Sequence, residues 1–200
     1  QDDPTVKELE DQTARMFGHE AGLFCSSGTM TNQIALMVYL RPGDEVICSS
    51  EAHIYNYEGG GVSFNSGVSC KLLDGNRGMF TNDQVISAIN PPDFYHSPKT
   101  SLVCAENTTN KGGGACYSSV EIERIHQLSK EENLPLHLDG ARLWNAMRAT
   151  STPPSFYGEQ FDTISICFSK GLGAPVGSAL LGSKEHMQKA LRVRKMLGGG

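Results

Sequence analysis

Residues 161–178, FDTISICFSKGLGAPVGS, decide how this chain is read. The first part, Phe161-Asp162-Thr163-Ile164-Ser165-Ile166-Cys167-Phe168, is rich in β-branched and apolar residues, the composition of a buried strand. It runs into Ser169-Lys170, and Gly171-Leu172-Gly173-Ala174-Pro175 then turns the chain. A lysine where a buried strand gives out is costly unless it is paired, neutralised or put to chemical use. Desolvation disfavours an ammonium, so an amine nucleophile can be made at such a place. The flanking glycines let backbone approach a ligand closely. The alternative is a lysine that snorkels to solvent from a strand end.

Outward from this stretch, strands and helices alternate. Helices are expected over residues 3–18, 30–40, 81–89, 120–131, 142–148 and 184–197, and strands over 23–25, 45–48, 68–73, 101–105, 134–138 and 177–181. Asp3-Pro4 is a capping residue followed by proline at the first helical position, and Gly18 is a stop signal. Val6, Leu9, Met16 and Phe17 are assigned to the inner face of the first helix, and Val120, Ile122, Ile125 and Leu128 to that of the helix over residues 120–131. Residues 51–58 read as a loop with a short helix, and 91–98 and 150–157 as loops. This alternation implies an α/β fold: a doubly wound, mainly parallel sheet with helices on both faces. No repeat, low-complexity segment or internal domain boundary interrupts the 200 residues.

The totals exclude several classes. Net charge is −5 with no basic stripe, which argues against nucleic acid. No apolar run approaches the roughly 18 residues of a membrane span, and no signal peptide is visible. The six cysteines form no C-x-x-C pair, so no zinc site or other metal is expected. Cys25, Cys48, Cys104 and Cys167 lie in apolar runs, which fits a reducing cytoplasm better than a disulfide scaffold. The ends look cut, so a fragment of a longer chain is expected.

In open α/β sheets, ligands bind beyond the carboxyl ends of the strands. Five polar features fall there: Ser27-Gly28-Thr29, His53, Glu106-Asn107, Asp139 with Arg142, and Ser169-Lys170. Ser27-Gly28-Thr29 opens a helix, whose free N–H groups and dipole suit an anion, although Thr29 can equally serve as a helix cap. Asp139 ends a buried strand and needs a partner; the ring nitrogen of pyridoxal phosphate and Arg142 both qualify. Arg142 can also grip a substrate carboxylate bidentately. His53 can stack on a flat cofactor, shuttle a proton or be an ordinary loop histidine. Three motifs are rejected. Gly177 to Lys184 has the wrong spacing and interior for a P-loop, Gly171-Leu172-Gly173 lacks the third dinucleotide-binding glycine, and the Asn107-Thr108-Thr109 sequon follows a buried strand.

Ser27-Gly28-Thr29-Met30-Thr31-Asn32, His53-Ile54-Tyr55, Leu136-His137-Leu138-Asp139-Gly140-Ala141-Arg142 and Ser169-Lys170-Gly171-Leu172-Gly173-Ala174-Pro175-Val176-Gly177-Ser178 together resemble the low-specificity L-threonine aldolases. Asp3-Pro4-Thr5-Val6 and Arg194-Lys195-Met196-Leu197-Gly198-Gly199-Gly200 are similar to further family segments. The resemblance implies a pyridoxal 5'-phosphate enzyme of the aspartate aminotransferase fold. Residues 1–200 would be its large cofactor-binding domain, without the N-terminal arm and the C-terminal small domain. It implies that Lys170 holds the cofactor covalently, Asp139 binds its ring nitrogen, His53 stacks on the ring, and Ser27, Gly28 and Thr29 bind its phosphate. Arg142 would hold the substrate carboxylate, and Lys195 matches a family lysine near the site. The expected reaction is retro-aldol cleavage of a β-hydroxy-α-amino acid to glycine and an aldehyde; a β-eliminating lyase or a catalytically incomplete fragment is the alternative. The family's active site lies at a dimer interface within a homotetramer. One departure stands out: Thr109 occupies the place of a second histidine that is thought to touch the substrate hydroxyl. This leaves His53 or a bound water as the base.

Overall fold

A computed structural model describes residues 3–199; Gln1, Asp2 and Gly200, which fall in the expected terminal segments, lie outside the described residues. The chain runs α1 (Pro4–Phe17), β1 (Ala21–Cys25), α2 (Gly28–Tyr39), β2 (Asp44–Ser49), α3 (His53–Asn56), α4 (Gly61–Ser66), β3 (Ser69–Leu73) and α5 (Asn82–Ala88). It continues through β4 (Lys99–Glu106), α6 (Ser119–Glu131), β5 (Leu136–Gly140), α7 (Leu143–Thr150), α8 (Pro154–Gln160), β6 (Thr163–Cys167), β7 (Ser178–Gly182) and α9 (Lys184–Met196). The first helix forms where its signals lie. Asp3 Oδ1 accepts from the N–H of Thr5 at 2.8 Å and of Val6 at 3.1 Å, and Gly18 ends the helix at φ 76°.

Among the described residues, seven strands form one sheet in the order β1-β7-β6-β5-β4-β2-β3. β2 to β6 are mutually parallel where they pair. β7 is antiparallel to both its neighbours, so β1 points the same way as the parallel set. The decisive stretch is therefore a strand, a glycine-rich reversal and the start of the one opposing strand among the described residues. The rejected P-loop look-alike is largely β7 itself, buried throughout.

Both faces of the sheet are covered, and strand residues alternate between them as a pleat requires. Ile47, Val103, Ala105, Leu138 and Ile166 pack towards α1, α5, α6, α7 and α8. Val46, Cys48, Leu102 and Cys104 pack under α2, α3 and α4, while Leu23, Cys25 and Leu180 pack under α2 and α9. Between these last two apolar clusters runs a polar seam of His137, Asp139, Thr163 and Ser165, all buried, opposite Thr31 and Asn32 of α2. Buried polar atoms are costly unless hydrogen-bonded, and these are bonded to one another: Thr31 to Ser165, Thr163 to His137, His137 to Asn32, and Asn32 to Asp139. The seam leads to the strand ends.

Several details differ from the sequence expectation. Helix α4 and helix α8 stand where no helix and a loop are expected; both are short and carry a glycine, so their periodicity is weak. Gly158 inside α8 is needed because a Cβ there would lie 1.6 Å from Phe17 O. Leu9, Met16 and Val120 are exposed rather than inward; Thr13 and Ala14 join Phe17 at the α1 interface. Among the described residues no helix is long and apolar enough to cross a membrane.

Candidate active site

The ends of β1, β2, β4, β5 and β6 share one edge of the sheet, and the polar features named above are carried there. A cavity of about 300 Å³ opens at this edge. Ser27, Gly28, Thr29, His53, Asp139 and Lys170 all line it. They come from four separate places in the sequence, so only the fold brings them together. A larger groove, about 710 Å³, lies between α1, β1 and α9, but none of these six residues lines it.

Lys170 sits in the reversal between β6 and β7. Its carbonyl accepts from Gly173 N at 3.0 Å, and Gly173 has φ 71°. The side chain is exposed, so the sequence-based expectation of a desolvated amine is not met: the strand is buried to Phe168, and the next residues already reach solvent. No side-chain hydrogen bond or ion pair engages its amine among the described residues.

Asp139 is buried at the end of β5. Its Oδ2 accepts from Asn32 Nδ2 at 2.8 Å and its Oδ1 from Ala141 N at 3.1 Å. Arg142, the alternative partner, is turned away: its Nη1 donates to Asn110 Oδ1 at 2.9 Å. Neither Arg142 nor the exposed Lys195, near the end of α9, lines the cavity.

Ser27 caps α2, its Oγ accepting from Met30 N at 3.2 Å. The alternative in which Thr29 is the cap is therefore not realised, and Thr29 is exposed in the first turn. The first-turn N–H groups of α2 have no partner within the helix and carry its positive dipole end. Gly28 cannot be replaced without crowding, since a Cβ would lie 2.7 Å from Cys167 Sγ.

His53 begins α3, half-buried. Its Nδ1 is 2.9 Å from Glu58 Oε1 and its backbone N donates to Glu106 Oε2 at 2.9 Å. The hydrogen bond to Glu58 raises its pKa above the ordinary histidine range, against the opposing effect of burial. Glu106, at the end of β4, also accepts from Asn110 N at 2.9 Å. Burial, together with the nearby charge of Asp139, lifts its pKa to about 7. His137 is pushed down to about 4 by burial and is therefore neutral near pH 7. Glu58 and Asn32 belong to this site, yet sequence reasoning did not single them out. Glu58 sits before three glycines and looks like a solvated loop residue; only its burial reveals it.

The ligand atoms of His53, Glu58 and Asp139 lie within 4.8 Å of one another, the spacing of a metal set. The Asn32 amide group already bridges the two carboxylates, donating to both. Thr109 is buried, and its hydroxyl donates to Arg77 O at 2.8 Å; it does not line the cavity. Asn107 of the rejected sequon is fully buried, out of reach of a glycosyltransferase in the folded chain. The six cysteines are unpaired, with Cys25, Cys48, Cys104 and Cys167 buried.

A mixed sheet with one opposing strand among the described residues, carrying a lysine, a buried aspartate and a helix N-terminus on one edge, defines an α/β domain with a candidate ligand site beyond its strand ends. Comparison with known proteins narrows this class. Residues 1–200 match the family described as beta-eliminating lyase, and the chain belongs to that family. It is 43% identical over 203 residues to low-specificity L-threonine aldolase 1 of Arabidopsis thaliana, covering 99% of this chain and 56% of that protein. It is 41% identical over 202 residues to the low specificity L-threonine aldolase of Saccharomyces cerevisiae, covering 100% of this chain and 51% of that protein. A solved structure of Leishmania major threonine aldolase superposes with a TM-score of 0.83 at 28% identity, covering 94% of this chain and 56% of that one. The chain spans about half the length of the curated relatives it matches.

Proposed function

We propose that this chain is the large cofactor-binding domain of a pyridoxal 5'-phosphate enzyme that cleaves L-threonine or L-allo-threonine to glycine and acetaldehyde. The observation that carries this reading is the meeting of Lys170, Asp139 and the α2 N-terminus in one cavity, delivered by β6, β5 and β1. The residues fit the cofactor. Ser27, Gly28 and Thr29 lie at the N-terminus of α2, where a phosphate is well received. Asp139 keeps acceptor capacity beyond its two N–H bonds, enough to hold a proton on a ring nitrogen. Lys170 offers an accessible amine with no competing partner among the described residues. Bound there, pyridoxal phosphate supplies an electron sink for the bond broken at the substrate Cα.

In this reading Lys170 anchors the cofactor and Ser27, Gly28 and Thr29 hold its phosphate. His53, which lines the cavity, covers the ring, and His53 or a bound water takes the β-hydroxyl proton; the Thr109 hydroxyl is engaged elsewhere. Loss of that proton drives Cα–Cβ cleavage; the aldehyde leaves, and protonation at Cα gives glycine. Arg142, whose guanidinium here donates to Asn110, would turn to hold the substrate carboxylate, and Lys195 would stand near the site in the assembled enzyme. An N-terminal arm and a small domain would complete the protein, and a homotetramer built from dimers would complete the site. The unpaired thiols suit a reducing cytoplasm.

The test is product analysis. Supplied with L-threonine and cofactor, the full-length enzyme should release glycine and acetaldehyde in equal amounts. Pyruvate from serine-like substrates, without glycine from threonine, would assign it to β-elimination instead.

A further inference from the structure

Along the cavity wall, four side chains form one continuous line of hydrogen bonds: Asp139, Asn32, Glu58 and His53, of which only Glu58 does not line the cavity. Asn32 Nδ2 donates to Asp139 Oδ2 and to Glu58 Oε1, both at 2.8 Å. Glu58 accepts twice more, from Gln33 Nε2 at 2.6 Å and from His53 Nδ1 at 2.9 Å. The acceptor-only carboxylates require the Asn32 amide nitrogen to face them, so its Oδ1 faces His137 Nε2 at 3.2 Å and that ring nitrogen is the donor. Gln33 is fixed likewise by Glu58, which leaves its Oε1 to accept from Asn65 Nδ2 at 3.0 Å.

Three side-chain donors thus reach the Glu58 carboxylate, and the Glu58 side chain is 0% exposed. A carboxylate buried this completely is a poor way to fill space; an apolar residue would pack more cheaply. Its cost is understandable if its charge acts on a neighbour. The neighbour that reaches the cavity is His53. A carboxylate only accepts, so His53 Nδ1 must carry the hydrogen, and the neutral ring is left with Nε2 as its accepting nitrogen.

We propose that Glu58 is a positioning residue of this site: it holds the His53 imidazole with Nδ1–H turned inward and Nε2 left for a ligand in the cavity, and through the Asn32 amide it ties that ring to Asp139. This rests on the reading of His53 as the ligand-facing imidazole. The device resembles an acid–histidine pair in which the acid sets tautomer and orientation while the ring meets the ligand.

Four charged groups face His53: Glu58 from the turn after α3, Asp139 from β5, Glu106 from β4 and Lys170 from the reversal after β6. The three acids favour the protonated ring, while Lys170 and burial disfavour it. The Glu58 hydrogen bond is the largest of these effects.

The experiment is a nitrogen-15 NMR titration of the His53 ring in the purified protein without cofactor or substrate, in wild type and Glu58→Gln. Wild type should show a neutral ring protonated on Nδ1 and a midpoint above the ordinary histidine value. In Glu58→Gln, whose amide oxygen can still accept from Nδ1–H but carries no charge, the midpoint should fall. A wild-type neutral ring protonated on Nε2 would overturn the proposal, and that reading needs no variant to fold. An unchanged midpoint in a folded Glu58→Gln protein would overturn it equally. Neither readout involves turnover. Failure to make glycine from threonine would thus remove the proposed activity and leave this inference standing. A protein that makes glycine but fails the titration would lose the inference alone.

Discussion

Replacing Lys170 by Ala should abolish the absorbance band of the protein-bound cofactor and lower kcat for glycine release by at least about 10³-fold, equivalent to about 4 kcal/mol of barrier. The change is unusually clean because the side chain is exposed and its amine carries no hydrogen bond or ion pair among the described residues. Substitutions at such positions usually alter stability by no more than about 0.5 kcal/mol. The variant should therefore melt close to wild type. A retained band in Lys170→Ala would mean that the cofactor is attached elsewhere.

The second large effect is expected at Asp139. Asp139→Asn keeps the shape but removes the charge, and one carbonyl oxygen must then serve both Asn32 Nδ2 and Ala141 N. The variant should still take up cofactor through Lys170, yet turn over about 10²- to 10³-fold more slowly, the range seen when one preorganised electrostatic partner is removed. It should also lose about 1–3 kcal/mol of stability, because a buried donor is left wanting. Wild-type turnover in a folded, cofactor-loaded Asp139→Asn protein would exclude this carboxylate from the reaction.

The two predictions concern residues that the sequence makes conspicuous, and the reason is physical. A buried strand must be apolar, so Thr163–Cys167 and Leu136–Gly140 announce themselves, and a polar residue at their ends stands out. Sheet class follows from the same alternation of apolar runs. What stayed hidden has no such contrast. Helix α8, PSFYGEQ, begins with proline and contains glycine, and its place is decided by contact with Phe17. Val120 looks like the first inward residue of α6, but the helix turns it to solvent and begins its buried stripe at Ile122. Glu58 is the sharpest case. A glutamate before a run of glycines reads as surface, and its burial follows from the packing of α3 and α4 against α2, which residue types alone do not reveal. Lys170 shows the converse: its position at a strand end was legible, while its exposure was decided by how soon the glycine-rich reversal leaves the sheet.

The central claim is that one amine, at the end of β6, holds the cofactor. Reducing the cofactor-loaded protein with borohydride, digesting it and locating the pyridoxyl group by mass spectrometry addresses this directly. The label should be found on Lys170, in the peptide that contains Phe168-Ser169-Lys170. A label on Lys195 or any other lysine, with Lys170 unmodified, would contradict the account.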